Sequence, residues 1–152
     1  MAYWLFKTEP DEFSIDDLKA APNQTTLWEG VRNYQARNFM RDDIHQGDEV
    51  MIYHSSCKKV GVAGIATVTK AAYPDPTQFD SSSSYFDSKA TVDKPRWVVV
   101  EVTYLCHLNK LVSLKDIKAN KAITELALKK AGRLSVMPVS KNDWDEILAM
   151  GQ

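Results

Sequence analysis

The stretch Trp28-Glu29-Gly30-Val31-Arg32-Asn33-Tyr34-Gln35-Ala36-Arg37-Asn38-Phe39-Met40-Arg41 decides how this chain is read. It carries one acid, three arginines, three amide side chains and three aromatic rings. Gly30 separates Trp28 from a helix start at Asn33, whose side chain suits an N-cap for a helix over Tyr34 to Arg41. The i, i+4, i+7 spacing puts Tyr34, Asn38 and Arg41 on one face of that helix, with Arg37 beside them. Such a segment fits an apolar core badly. It fits a polar pocket or a phosphate track well.

On the N-terminal side, Tyr3 to Thr8 alternates as a first strand, with Trp4, Phe6 and Thr8 on one face, and Glu9-Pro10 ends it. Ser14-Ile15-Asp16-Asp17 has the form of a capping box for a short helix that Pro22-Asn23 closes. On the C-terminal side, His45-Gln46-Gly47-Asp48 is a turn and Glu49 to His54 a buried strand. Val60 to Thr69 follows as a strand whose Gly61 and Gly64 suggest a bulge or a close approach. Tyr73 to Pro95 is the one long irregular segment, a length associated with function or mobility. Arg96 to Tyr104 is the clearest strand. A helix over Ala122 to Lys130 closed by Gly132, a strand over Arg133 to Val139, and a helix capped by Ser140 that buries Trp144, Ile147 and Leu148 complete the chain.

Without regular strand–helix alternation these elements predict one α+β domain over residues 1–152, most simply a small curled sheet or barrel with helices at its ends. At 152 residues and 17.2 kDa the chain can build one real core. The net charge of −1 excludes a bulk electrostatic coat for nucleic acid, so any such contact is local. The opening Met1-Ala2-Tyr3-Trp4-Leu5-Phe6-Lys7 lacks the pattern of a signal peptide, and no apolar run reaches membrane-spanning length. Cys57 and Cys106 are expected to be reduced thiols, and the protein to be cytoplasmic.

Several segments together resemble an EVE domain, one of the PUA-like folds related to the YTH, ASCH and PUA domains. They are Tyr3 to Pro10, Trp28 to Asn38, Gly47-Asp48, Tyr53-His54-Ser55, Gly61 to Gly64, Tyr73-Pro74-Asp75, Arg96-Trp97 and Arg133-Leu134-Ser135-Val136. The resemblance implies a PUA-like β-barrel flanked by short helices, and a non-catalytic reader that holds a modified base of RNA or DNA, for example a methylated one, in a pocket. Thr8 stands where the family usually has Ser, keeping the hydroxyl, and Met137 where Gln is common, removing an amide.

A reader of one unstacked base needs a flat apolar wall, a few fixed hydrogen-bonding groups and phosphate contacts at the rim. Trp28 beside Gly30 is the first choice for the wall, with Tyr53 and Tyr85 as further rings. Asn33 and Asn38 offer paired donors and acceptors, and Thr8, Ser55 and Ser135 offer hydroxyls. Val31 and Leu134 supply apolar contact to a modification, while Glu9, Pro10, Gly30, His54 and Arg133 complete the expected pocket. Lys7, Arg32, Arg37, Arg41, Lys58 and Lys59 are the expected phosphate contacts.

No metal site, cofactor cradle or nucleophile elbow is readable: His54 and Cys57 form a lone pair, and Cys106-His107 point to opposite faces of a strand. Two other readings stand beside the reader: an enzyme acting on nucleic acid through His54 and Glu9, and a small-molecule or protein-interaction module. A basic rim favours nucleic acid; a large apolar rim favours the module.

Overall fold

The first strand, β1 (Tyr3–Thr8), lies inside the core. Trp4, Leu5 and Phe6 are 3%, 0% and 0% exposed, so both faces of the strand are covered instead of the one that alternation suggests. It pairs antiparallel with the last strand and parallel with the strand Glu49–His54. A parallel pair needs a long crossover. Here the crossover holds α1 (Ile15–Ala20), β2 (Thr25–Leu27) and α2 (Tyr34–Asn38), and Trp28 to Asn33 lies within it. The computed structural model describes residues 1–130 and 132–152.

β3 (Glu49–His54) has the expected bounds. Its preceding turn is tied to the start of β1 by buried Asp48, which accepts from the Ala2 and His45 N–H groups and the Trp4 Nε1–H at 2.9–3.0 Å. β4 (Gly61–Pro74) and β5 (Val98–Ser113) form a hairpin longer than either expected strand. Its register shifts at four places, bending the pair around the core. Gly64 sits at one of them: a Cβ there would lie 2.6 Å from the Cys106 carbonyl oxygen and 2.7 Å from Ile15 Cγ1, so α1 packs directly on the strand.

α3 (Leu114–Ala119) follows β5, and β6 (Val136–Val139) and α4 (Lys141–Met150) end the chain. The sheet order is β2-β5-β4-β3-β1-β6. Among the described residues no ladder joins β2 to β6, so the expected α+β class holds while the expected barrel is an open curled sheet. β2 has three residues and β6 four, and a cavity stands between them.

Two expected helices differ. Ala122 to Lys130 holds only a 3₁₀ turn, Ala127–Lys129, because the buried Asp143 carboxylate at the start of α4 captures the Thr124 and Glu125 N–H groups at 3.1 and 3.0 Å. Lys129 Nζ also donates to the Asn120 and Ile123 carbonyls, turning the chain back on itself. The second helix stops at Asn38 and widens into a π turn, Phe39–Asp43. The expected strand over Arg133 to Val139 begins only at Val136. The long segment after β4 is pinned: buried Gln78 donates to the Asp75 and Trp97 carbonyls at 2.8 Å and accepts from the Arg96 and Trp97 N–H groups.

Candidate functional site

The gap between the sheet edges is a cavity of about 480 Å³. One side comes from the end of β1 through Lys7, Thr8 and Glu9, with Ser55 beyond β3. The other comes from Thr26 and Leu27 of β2 and the loop that follows, Trp28 to Asn33. Gly132, Arg133 and Ser135, just before β6, and Tyr85 from the long loop close it.

Trp28 forms the floor of this cavity. Its N–H donates to the Val100 carbonyl at 2.8 Å, and its ring packs on Phe6 at 5.4 Å and edge-on to Phe13 at 6.1 Å. Only 8% of it is exposed, so it is a core ring with one surface in the pocket. Gly30 has φ +81°, a conformation side chains avoid, and its N–H donates to Asp75 at 2.9 Å. The space above Gly30 holds the Tyr85 ring, 2.6 Å from where a Cβ would sit. The expected close approach to this glycine is made by the protein itself.

Asp75 organises the loop on that side. Fully buried, it accepts from the Gly30 N–H, from Arg32 Nη1 at 3.1 Å and from the Thr77 N–H at 2.8 Å. Arg32 was expected at a phosphate. Instead its five N–H donors go to the Val31 and Tyr85 carbonyls, Asp75 and Thr77. Its guanidinium also lies over the Tyr85 and Trp97 rings at 5.6 and 5.4 Å. It ties the Tyr85 loop to the Trp28 loop and has no donor left for a ligand.

Asn33 caps α2 by accepting from the Ala36 N–H at 2.9 Å and also lines the cavity, as expected. Thr8 Oγ1 donates to the Phe13 carbonyl at 2.8 Å, so Ser55 and Ser135 are the pocket hydroxyls with weaker or no ties. Val31 is at the wall. Lys7 stands at the rim with Nζ 3.0 Å from the Gly132 carbonyl, and burial lowers its pKa.

The other expected site residues lie elsewhere. Tyr53 is 2% exposed and its phenol is pushed up to about 12 by burial, which makes it core. Leu134 is likewise core. Asn38 accepts from Arg37, which also donates to the Arg96 carbonyl and lies over the Tyr34 ring; both are held beside the Tyr34–Trp97 stack. Arg41 pairs with Asp42 at 2.8 Å, because the π turn rotates it off the helix face. His54 Nε2 accepts the Ile15 N–H at 3.1 Å, holding the start of α1, and burial lowers its pKa. With Pro10, Lys58 and Lys59 it lines a second hollow, so it does not meet Glu9 across the cavity.

Sequence reading missed Glu12, Phe13, Thr26, Leu27, Glu29 and Gly132. Glu29 stands inside the quoted stretch but was not among the expected pocket residues. Glu9, Glu12 and Glu29 all line this cavity. Burial, then the Asp75 charge, raises the Glu29 pKa against the pull of Arg32. Burial, then Glu12 and Glu29, raises that of Tyr85. The pocket therefore presents hydrogen-bond acceptors over an aromatic floor. Among the described residues no group of His, Cys, Asp and Glu is arranged to hold a metal ion, and no helix is long and apolar enough to cross a membrane.

Known proteins share this architecture. Human thymocyte nuclear protein 1 is 39% identical over 166 residues, covering 98% of this chain and 73% of that protein. Its crystal structure in complex with 5-methylcytosine-containing DNA superposes with a TM-score of 0.96 at 36% identity, covering 100% of this chain and 98% of that one. A Pseudomonas putida crystal structure reaches 0.94 at 48% identity, covering 99% and 100%. An ASCH protein of Zymomonas mobilis, at 0.54 and 9% identity over 99% of each chain, shares the fold alone. The EVE domain model matches residues 2–150. With that match and a relative 39% identical over 98% of this chain, the chain belongs to the EVE domain family.

Proposed function

We propose that this chain, acting as one domain, holds a modified base of DNA in the cavity between its sheet edges, with 5-methylcytosine the first choice, and does so without catalysis. The observation that carries the reading is the cavity itself: about 480 Å³, floored by Trp28, walled by Val31 and Tyr85, and edged by acceptors. The complex of the human relative with 5-methylcytosine-containing DNA supports it. Stacking on Trp28 contributes roughly 1–3 kcal/mol. Ser55, Ser135, Asn33 and the three glutamates line the cavity, and this reading assigns them to base edges. Lys7 and Arg133 stand at the rim. The occupation of His54 by Ile15 supports binding over acid–base chemistry. RNA is the second polymer to test. The relatives carry "nuclear" in their name.

Burying one methyl group contributes about 0.8 kcal/mol, only about fourfold in affinity. The edge of the base discriminates more. Cytosine offers an exocyclic amine to an acceptor-lined site; thymine carries the same methyl group but offers a carbonyl there. Leaving a buried acceptor unpaired costs about 1–3 kcal/mol.

The test is a binding panel of otherwise identical DNA and RNA strands carrying cytosine, 5-methylcytosine or thymine at one position. The expected order places 5-methylcytosine first, with thymine about tenfold or more weaker. Equal affinity for all three bases, or turnover of any strand, overturns the proposal.

A further inference from the structure

The pocket is poorly furnished for phosphate. Glu9, Glu12 and Glu29 line it, Arg32 has every donor engaged and Lys7 leans on the Gly132 carbonyl, which leaves Arg133 as the one uncommitted cation among its described lining residues. A strand that delivers a base here must carry its backbone charge past the rim to somewhere basic.

The second hollow, about 430 Å³, provides that place. Lys58, Lys59 and Lys110 line it, all three exposed and none in an ion pair among the described residues. Its one carboxylate, Asp16, is already hydrogen-bonded to His107 Nε2 at 2.7 Å, and His107 is held in turn by the Tyr104 hydroxyl at 2.7 Å. The floor is apolar, made by Ile15, Ala63, Leu108 and Leu111, a surface that takes a sugar or an unstacked base. The two hollows are neighbours along the chain at two points. Thr8 and Glu9 line the pocket while Pro10 lines the hollow; Ser55 lines the pocket while Cys57 and Lys58 line the hollow.

We infer that this hollow holds the phosphodiester backbone flanking the base in the pocket, with Lys58, Lys59 and Lys110 as its phosphate contacts. This rests on the pocket reading. It separates two jobs by charge: acceptors in the pocket select the base, and ammonium groups in the adjoining hollow hold the strand. Opposite charge at the rim and an apolar floor favour a single strand over a protein surface.

The test measures binding of a single DNA strand of about twelve nucleotides with one central 5-methylcytosine, its unmodified twin, and free 5-methyl-dCMP across a salt series. The proteins are the wild type, a triple Lys58→Gln, Lys59→Gln, Lys110→Gln variant, and a control triple, Lys94→Gln, Lys118→Gln, Lys121→Gln. The control lysines are exposed and line neither hollow. For the first triple the log–log salt slope should become shallower by about 2, since each single-strand contact contributes about 0.7. Its ratio of modified to unmodified affinity and its binding of 5-methyl-dCMP should match the wild type, and the control triple should keep the wild-type slope. An unchanged slope, or one that flattens equally in the control, overturns the groove. A wild-type ratio of one overturns the pocket reading whatever the slope does. A peptide or protein competitor displacing the strand only from the wild type, with no change of slope in the triple, overturns the choice of occupant.

Discussion

Replacing Gly30 by alanine perturbs the pocket at the point where three of its supports meet. The backbone φ of +81° alone costs a β-carbon about 1–2 kcal/mol. The new Cβ would lie 2.6–2.8 Å from three atoms of the Tyr85 ring, so that ring has to leave. Overpacking of this kind costs about 1–3 kcal/mol. The expected total is about 2–5 kcal/mol, read as a shift in urea midpoint at constant m. The two parts separate in a Tyr85→Ala background, where the ring is gone and only the backbone cost of about 1–2 kcal/mol remains. The predicted coupling between Gly30→Ala and Tyr85→Ala is therefore about 1–3 kcal/mol. Binding should weaken in the single variant as well, because Tyr85 is a wall of the cavity and its carbonyl anchors Arg32. A coupling below about 0.5 kcal/mol refutes the claim that Tyr85 occupies the space above this glycine.

Asp75→Ala leaves the Arg32 guanidinium and the Gly30 N–H facing an empty site. A loss of about 3 kcal/mol in thermal unfolding is expected, at the low end for a broken buried pair because Arg32 is 23% exposed. Asp75→Asn, which keeps an acceptor, should lose less. His54 has a folded pKa held below its ordinary 6.5 by burial, so the unfolded chain takes up the proton first. Its contribution to stability is present above pH about 6.5 and declines as pH falls toward the lowered folded value. Midpoints for His54→Gln measured from pH about 7 to about 5 should decline less steeply than those of the wild type. Parallel curves would remove His54 from the acid sensitivity. Glu29→Gln exchanges a charged acceptor for a neutral one, so the preference for 5-methylcytosine over thymine should narrow by about three- to tenfold with little change in unfolding. An unchanged preference places the selecting acceptor elsewhere.

Much of the framework was readable because local rules decide it. Ser14, Asn33 and Ser140 each cap the helix that their spacing announces, through an oxygen three residues from the bonded N–H. β3 was legible to the residue because its apolar run is buried throughout. β2 was not, since three residues cannot display a period. The Ala122–Lys130 helix failed because a carboxylate nearly twenty residues away, Asp143, captured two of its N–H groups. Spacing within one segment holds no trace of such a partner.

The same division runs through the site. The stretch Trp28 to Arg41 pointed to a pocket from its residue types alone, and Trp28, Gly30, Val31 and Asn33 do line one. What each charge does was decided only by folding. Arg32, Arg37 and Arg41 look alike in sequence, yet one pairs with buried Asp75, one is held beside the Tyr34–Trp97 stack and one pairs with its neighbour Asp42. Residue type sets which bonds a side chain is able to make. Which bond forms depends on the carbonyl or carboxylate that folding brings within hydrogen-bond reach; for Arg32 and Arg37 those partners come from loops far along the chain, and for Arg41 from its neighbour.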